Sequence, residues 1–131
     1  MYNLKISIWT LFILITILIL HIYGMEENLY IRFWFYDIIL HILGGVGIAM
    51  SIYCFAIFSN IEWIKDNLIW IVIGTLLAGL TWELFEIYFN ITGSKLWSRP
   101  YYIDTIKDLI NDTIGAFFVY SILKSNPKID K

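Results

Sequence analysis

Long, nearly uncharged apolar runs separated by short polar breaks leave this chain few ways to fold. The first runs from Ile6 to Ile22, interrupted only by Thr10, Thr16 and His21, with Lys5 ahead of it and Gly24, Met25, Glu26 and Glu27 behind. The second is opened by Asp37 and covers Ile38 to Phe58, with His41 and Cys54 as its only ionisable groups before Ser59 and Asn60. A polar break through Asn60, Glu62, Lys65, Asp66 and Asn67 precedes the third, Leu68 to Phe89, in which Glu83 and Glu86 stand near the far end. A helix needs roughly 20 such residues to cross a bilayer, and each run is of that order. Barrel strands would instead show about ten alternating residues between turns, so strands are not expected. A secretory signal would have a shorter core and a small-residue cleavage site, so the first run reads as a span.

From Asn90 to Tyr102 the chain has a loop composition, with Gly93, Ser94, Lys95, Ser98, Arg99 and Pro100, and Pro100 disfavours helix in the residue before it. The fourth segment, Ile103 to Leu123, is free of charge only from Thr113 onward, which is too short to cross alone. Its first half must be sheltered by protein. The expected fold is therefore all-α, an integral membrane bundle of four transmembrane helices near residues 4–23, 36–58, 66–90 and 103–124, forming a single domain over residues 1–131. Composition agrees: 60% of residues are hydrophobic and 15% charged, with a mean hydropathy of +0.73, against roughly 25% charged in a soluble domain. The net charge of -2 and the scattered Lys and Arg offer no basic stripe, which argues against a nucleic-acid partner. The lone Cys54 rules out an internal disulfide and every multi-cysteine metal motif.

Four crossings put the start of the second span, the end of the third and the start of the fourth on one side. Lys5, Lys65, Lys124, Lys128 and Lys131 then face Arg32, Lys95, Arg99 and Lys107 across the bilayer. That slight excess favours both termini in the cytoplasm and the acidic end outside. Tyr30, Phe33, Trp34, Phe35 and Tyr36, with Trp97, Tyr101 and Tyr102, would form an aromatic belt at the outer surface.

Six of the eleven acids fall in three short stretches at that end, the start of the second span, the end of the third and the start of the fourth. Asp37 and His41, spaced i, i+4, share a helix face that Gly45 continues, and Gly44, Gly45 and Gly47 allow close helix packing. Glu83 and Glu86 are i, i+3 neighbours beside Trp82, with Asn90 a turn further on, while Asp104, Asp108 and Asp112 form an i, i+4, i+8 stripe with Asn111 and Gly115 near the same face. At about 1.5 Å per residue, His41, Glu86 and Asp108 each lie about one turn inside their helices, at matching depth. Glu83 and Asp112 lie about one turn deeper, where an ionised carboxylate costs roughly 2.5–3.5 kcal/mol without a partner. Lys107, Arg99, Arg32, protonation or a bound cation would have to compensate them. Asp37 and Asp104 also suit helix starts, where an acid meets the positive end of the macrodipole. His21, at the end of the first span, has no acidic neighbour in the chain and reads as an interfacial residue. Asn90-Ile91-Thr92 and Asn111-Asp112-Thr113 match the glycosylation triplet by chance.

The segment from Tyr36-Asp37 through His41 to Gly44-Gly45 resembles the D-x-x-x-H-x-x-x-G opening of VanZ-like and YjdF-type small membrane proteins. Trp82-Glu83-Leu84-Phe85-Glu86 is similar to their W-E-x-x-E helix end, and Asp104-Thr105-Ile106-Lys107-Asp108-Leu109 through Gly115-Ala116 to their closing helix. Asn111 stands where VanZ-like proteins carry an Asn. A glutamine that often follows the third-helix acid is absent, which favours the YjdF-type branch. The resemblance covers residues 36–120 and implies a polytopic helical domain of the cell envelope, some of whose relatives are linked to glycopeptide resistance.

These residues point first to a metal-dependent hydrolase or transferase acting on a lipid-linked or amphiphilic substrate at the outer headgroup level. Carboxylates and one imidazole suit Mg, Mn or Zn, and facing helices of a bundle can assemble such ligands. The expected ligands are His41, Glu86 and Asp108, with Glu83 or Asp112 as base, Asp37 orienting His41, Asp104 and Asn111 standing behind them, and Lys107 as charge partner. A non-catalytic envelope binding or antibiotic-resistance protein is the alternative. Ion or proton passage, which would need an oligomer, comes third. The expected setting is the cytoplasmic membrane of a prokaryote, with membrane lipid as the constant partner.

Overall fold

A computed structural model describes residues 2–89 and 99–125, and every regular element among them is helical. Four long helices, α1 (Tyr2–Glu26), α3 (Trp34–Phe58), α5 (Leu68–Tyr88) and α6 (Arg99–Ser125), alternate with two single-turn ones, α2 (Leu29–Arg32) and α4 (Glu62–Lys65). Asn28 and Asn60 take positive φ where the chain reverses after α1 and α3, a conformation Asn tolerates better than most residues. Asn67 caps α5, its side chain accepting from the Ile69 N–H at 2.9 Å.

Three helices, α1, α3 and α5, are long and apolar enough to cross a membrane. α6 is not among them, because Asp104, Lys107, Asp108 and Asp112 break its hydropathy. It begins at Arg99, four residues ahead of the expected start at Ile103, because proline is accepted in a first helical turn, where its missing N–H has no carbonyl to bond. The expected loop from Asn90 to Ser98, with Lys95, Trp97 and the Asn90 triplet, lies outside the described residues, as do Lys128 and Lys131 and the side chain of Arg99.

α3 is the central helix, packed on α1, α5 and α6, while α6 also packs along α5. The α3–α6 crossing is made backbone to backbone. A methyl group on Gly45 would strike the backbone of Asp112, and one on Gly115 would strike that of Ile42 and Val46. Gly47 instead takes the side-chain ends of Leu14 and Ile17 of α1, where a methyl would be tight at 3.0 and 3.2 Å. At one end Cys54 approaches Thr10 at 3.4 Å and Lys124 bonds Asp66; at the other His41 meets Asp112 and Thr105 meets Glu83. The four long helices therefore run alternately up and down. Ile6, Ala49, Tyr53, Ile71, Ala116 and Val119 form the apolar core of the half away from the acids. Four hydroxyls there and just above it, Ser51, Thr75, Thr113 and Ser121, each donate to a carbonyl four residues back at 2.7–2.9 Å, so their protons are held within their own helices.

Candidate functional site

His41 is the hub of the acidic end. It is buried on α3, and its Nδ1 lies 3.3 Å from Asp112 Oδ1. Its Nε2 lies 3.7 Å from Asp37 Oδ1 and 3.8 Å from Asp108 Oδ1. Helical spacing brings Asp37 and His41 together, and the glycine-mediated crossing brings α6 in from the side. Asp112 is wedged at a three-helix junction, its backbone against Gly45 of α3 and its Oδ2 where a methyl on Gly79 of α5 would sit. An ionised carboxylate can only accept, so with Asp112 charged the Nδ1 proton points to it and Nε2 is left facing two more carboxylates. Asp37, His41 and Asp108 each offer a ligand atom within 4.8 Å of the others, an Asp/His/Asp group that could in principle hold a metal ion.

The other site residues expected from the sequence fall in different places. Glu86 is on the far wall of an adjoining cavity, where its Oε1 accepts from the Trp82 indole N–H at 2.9 Å. Glu83 faces α6 instead: Thr105 donates to its Oε2 at 2.8 Å, and its buried Oε1 has no hydrogen-bond partner among the described residues. Asp104 and Lys107 are exposed, Asn111 is partly buried, and Lys107 forms no ion pair among the described residues. The structure thus joins Asp37, His41, Asp108 and Asp112, with Asp37 in the position the sequence suggested for Glu86.

The cavity, about 410 Å³, has α3 as its floor and α1 and α5 as its walls. The backbones of α1 and α5 do not approach each other closely, and their side chains His21 and Trp82 meet across a groove that opens sideways. Leu14, Ile17, Leu18, Ile48 and Ala78 line its length, while Asp37, His41, Glu86 and Asp112 line one end. Sequence reasoning missed two residues there. His21 is not merely interfacial: it lines the cavity, shares a 2.6 Å hydrogen bond with Tyr30 and packs edge-on against Trp82, with ring centroids 5.1 Å apart. Tyr30, on α2 outside the apolar helices, has its phenol pushed well above the usual range by burial and by Asp37 and Glu86, so it stays protonated. The available signal was the antiparallel layout, which returns the end of α1 to the start of α3.

A family model described as a predicted membrane protein, DUF2238, matches residues 1–126, and the chain belongs to that family. No curated protein and no solved structure matches it. Membership and the three apolar helices together make this an integral membrane protein.

Proposed function

We propose that this DUF2238 member is a metal-dependent hydrolase or group transferase of the cell envelope, acting on a lipid-linked or amphiphilic substrate that enters from the bilayer. The carrying observation is the arrangement around His41. A bare Nε2 with two carboxylate oxygens at 3.7–3.8 Å needs a cation or a proton among them, and the metal reading takes the cation. Those separations are too long for hydrogen bonds, yet they suit two ligand bonds of about 2.0–2.2 Å meeting at one ion. Asp112 on the opposite ring nitrogen supplies the carboxylate–histidine pairing that orients metal-bound imidazoles.

Asp37, His41 and Asp108 are the ligands in this reading, with Mn, Zn or Mg as the ion. Such an ion would activate a water and polarise a phosphate or ester oxygen presented by a headgroup in the groove. The proton released would go to a carboxylate that lines the cavity, Asp112 or Glu86. The lateral opening supports a substrate whose tail stays in lipid.

α6 is the fourth crossing in this account, sheltered by α3 and α5, with both termini in the cytoplasm of a prokaryote and the site at the outer face. The VanZ-like and YjdF-type resemblance of residues 36–120 supports an envelope role. The apolar core of Ile6, Ala49, Tyr53, Ile71, Ala116 and Val119 in the other half weighs against ion passage. A binding or resistance protein without turnover is the second reading, favoured by the three carboxylates within 4 Å of His41, with which an imidazolium would also pair.

Elemental analysis and chelation decide between them. Purified protein should retain about one equivalent of Mn, Zn or Mg, which Asp37→Asn and Asp108→Asn should each lose while keeping their helix content. Lipid-directed hydrolysis should stop on chelation and return with added metal. Retention below about a tenth of an equivalent would sink the metal reading, and the absence of any lipid-directed turnover from that metal-free protein would leave the binding one.

A further inference from the structure

The outer end of the groove is walled by rings as well as carboxylates, and this combination narrows the class of amphiphile it suits. His21 on α1 and Trp82 on α5 meet edge to face across the groove, with centroids 5.1 Å apart. Tyr30 stands edge-on to His21 at 5.9 Å. The polar tips of His21 and Tyr30 bond each other at 2.6 Å, so their rings are what they offer to a ligand. Trp82 in turn holds Glu86 through its indole N–H, fixing a carboxylate beside an aromatic wall.

Asp37, Glu86 and Asp112 all line this cavity, and among the described residues no Lys or Arg does. A divalent ion held by Asp37, His41 and Asp108 would still leave Glu86, at the groove's opposite wall, with no basic partner among the described residues. Aromatic rings beside one carboxylate, with no competing cation, are the chemistry that binds alkylated ammonium groups. Such a head needs no directed hydrogen bonds and gains from each ring it rests against, and the cluster here is wider than a pair, Trp82 being stacked on Phe85 and Tyr30 packed on Tyr36. Below it the apolar lining accepts a hydrocarbon chain.

We propose that the groove takes a membrane amphiphile with a quaternary ammonium head, seated among His21, Tyr30 and Trp82 with Glu86 as its counter-charge. This deepens the reading above and rests on it for the groove as substrate entrance, while the ammonium seat itself uses none of the metal ligands that lie behind it.

The test is native mass spectrometry of the protein released from dodecyl maltoside micelles in the presence of equimolar dodecyltrimethylammonium and dodecyl sulfate. The ammonium adduct should exceed the sulfate adduct at least about tenfold, and tetramethylammonium, which lacks the chain, should not displace it. Glu86→Gln, nearly isosteric and still able to accept from Trp82, should bring the ratio close to one, and Trp82→Leu should lower it, with circular dichroism verifying helix content. Equal or preferred sulfate binding in the wild type, or an unchanged ratio in Glu86→Gln, overturns the proposal. Chelator should leave the ratio unaltered. An ammonium preference in protein that holds no metal as purified would mean that the metal reading had failed and this one had not; retained metal without the preference would mean the reverse.

Discussion

Gly44 and Gly45 are adjacent on α3, yet the same substitution should give different results at each. An alanine methyl at Gly45 would land on the backbone of Asp112, whose atoms cannot rotate aside, so α3 and α6 would have to part. At Gly44 the methyl would meet Asp112 Oδ1 at 3.7 Å, an ordinary van der Waals contact. Both substitutions gain the helix preference of alanine over glycine, up to about 1 kcal/mol, so that term cancels in the comparison. What remains is overpacking, typically about 1–3 kcal/mol. Gly45→Ala should therefore be less stable than Gly44→Ala by that amount in reversible unfolding from dodecyl maltoside into sodium dodecyl sulfate, followed by circular dichroism. Parting the helices also draws Asp112 away from His41, now 3.3 Å apart, so metal retention should fall in the same variant. If the two variants agreed within about 0.5 kcal/mol, the backbone crossing that assembles the site would be wrong.

Thr105→Val removes the hydroxyl bonded to Glu83 Oε2 and leaves a carboxylate only 4% exposed with no bond to either oxygen; it should cost about 1–3 kcal/mol in the same unfolding assay, with Thr105→Ser restoring most of it. At the opposite end Lys124 donates to Asp66 at 2.9 Å and holds its carboxyl below the usual range. A carboxyl lowered on folding stabilises above its unfolded pKa, and that contribution disappears as pH falls through the folded value. A double-mutant cycle with Asp66→Asn and Lys124→Met should give roughly 0.2–1 kcal/mol at neutral pH, shrinking once the pH drops below about 3.9. In a Cys54→Ser background, Glu62→Cys and Lys95→Cys should react with impermeant maleimide from opposite sides of a sealed membrane, since α5 lies between them.

The helices were readable because apolar runs and polar breaks are long features that survive errors of a few residues. Asp37 beside His41 was readable too, since a spacing of four fixes both on one face. The third acid was not. Depth along the helix groups Glu86 with His41 and Asp108, but depth says nothing about rotation. Glu83 and Glu86 lie about 60° apart around α5, three residues at about 100° each. Docking of Gly79 on Asp112 settles which way that arc faces, turning Glu83 to Thr105 of α6 and Glu86 to the groove. His21 escaped for a related reason: its partner Tyr30 sits on a one-turn helix whose position depends on the positive φ at Asn28. The start of α6 at Arg99 was missed because Pro100 was read as a barrier when it occupies the first turn.

The central claim is that His41 ligates a cation through Nε2 while Asp112 holds its other nitrogen. Electron spin echo spectroscopy on manganese-loaded protein tests it most directly, because a bound imidazole imprints its nitrogen on the manganese signal. The account predicts one such nitrogen, lost in His41→Gln, retained in His21→Gln and weakened in Asp112→Asn. A manganese signal without nitrogen coupling, or one that persists unchanged in His41→Gln, would contradict it.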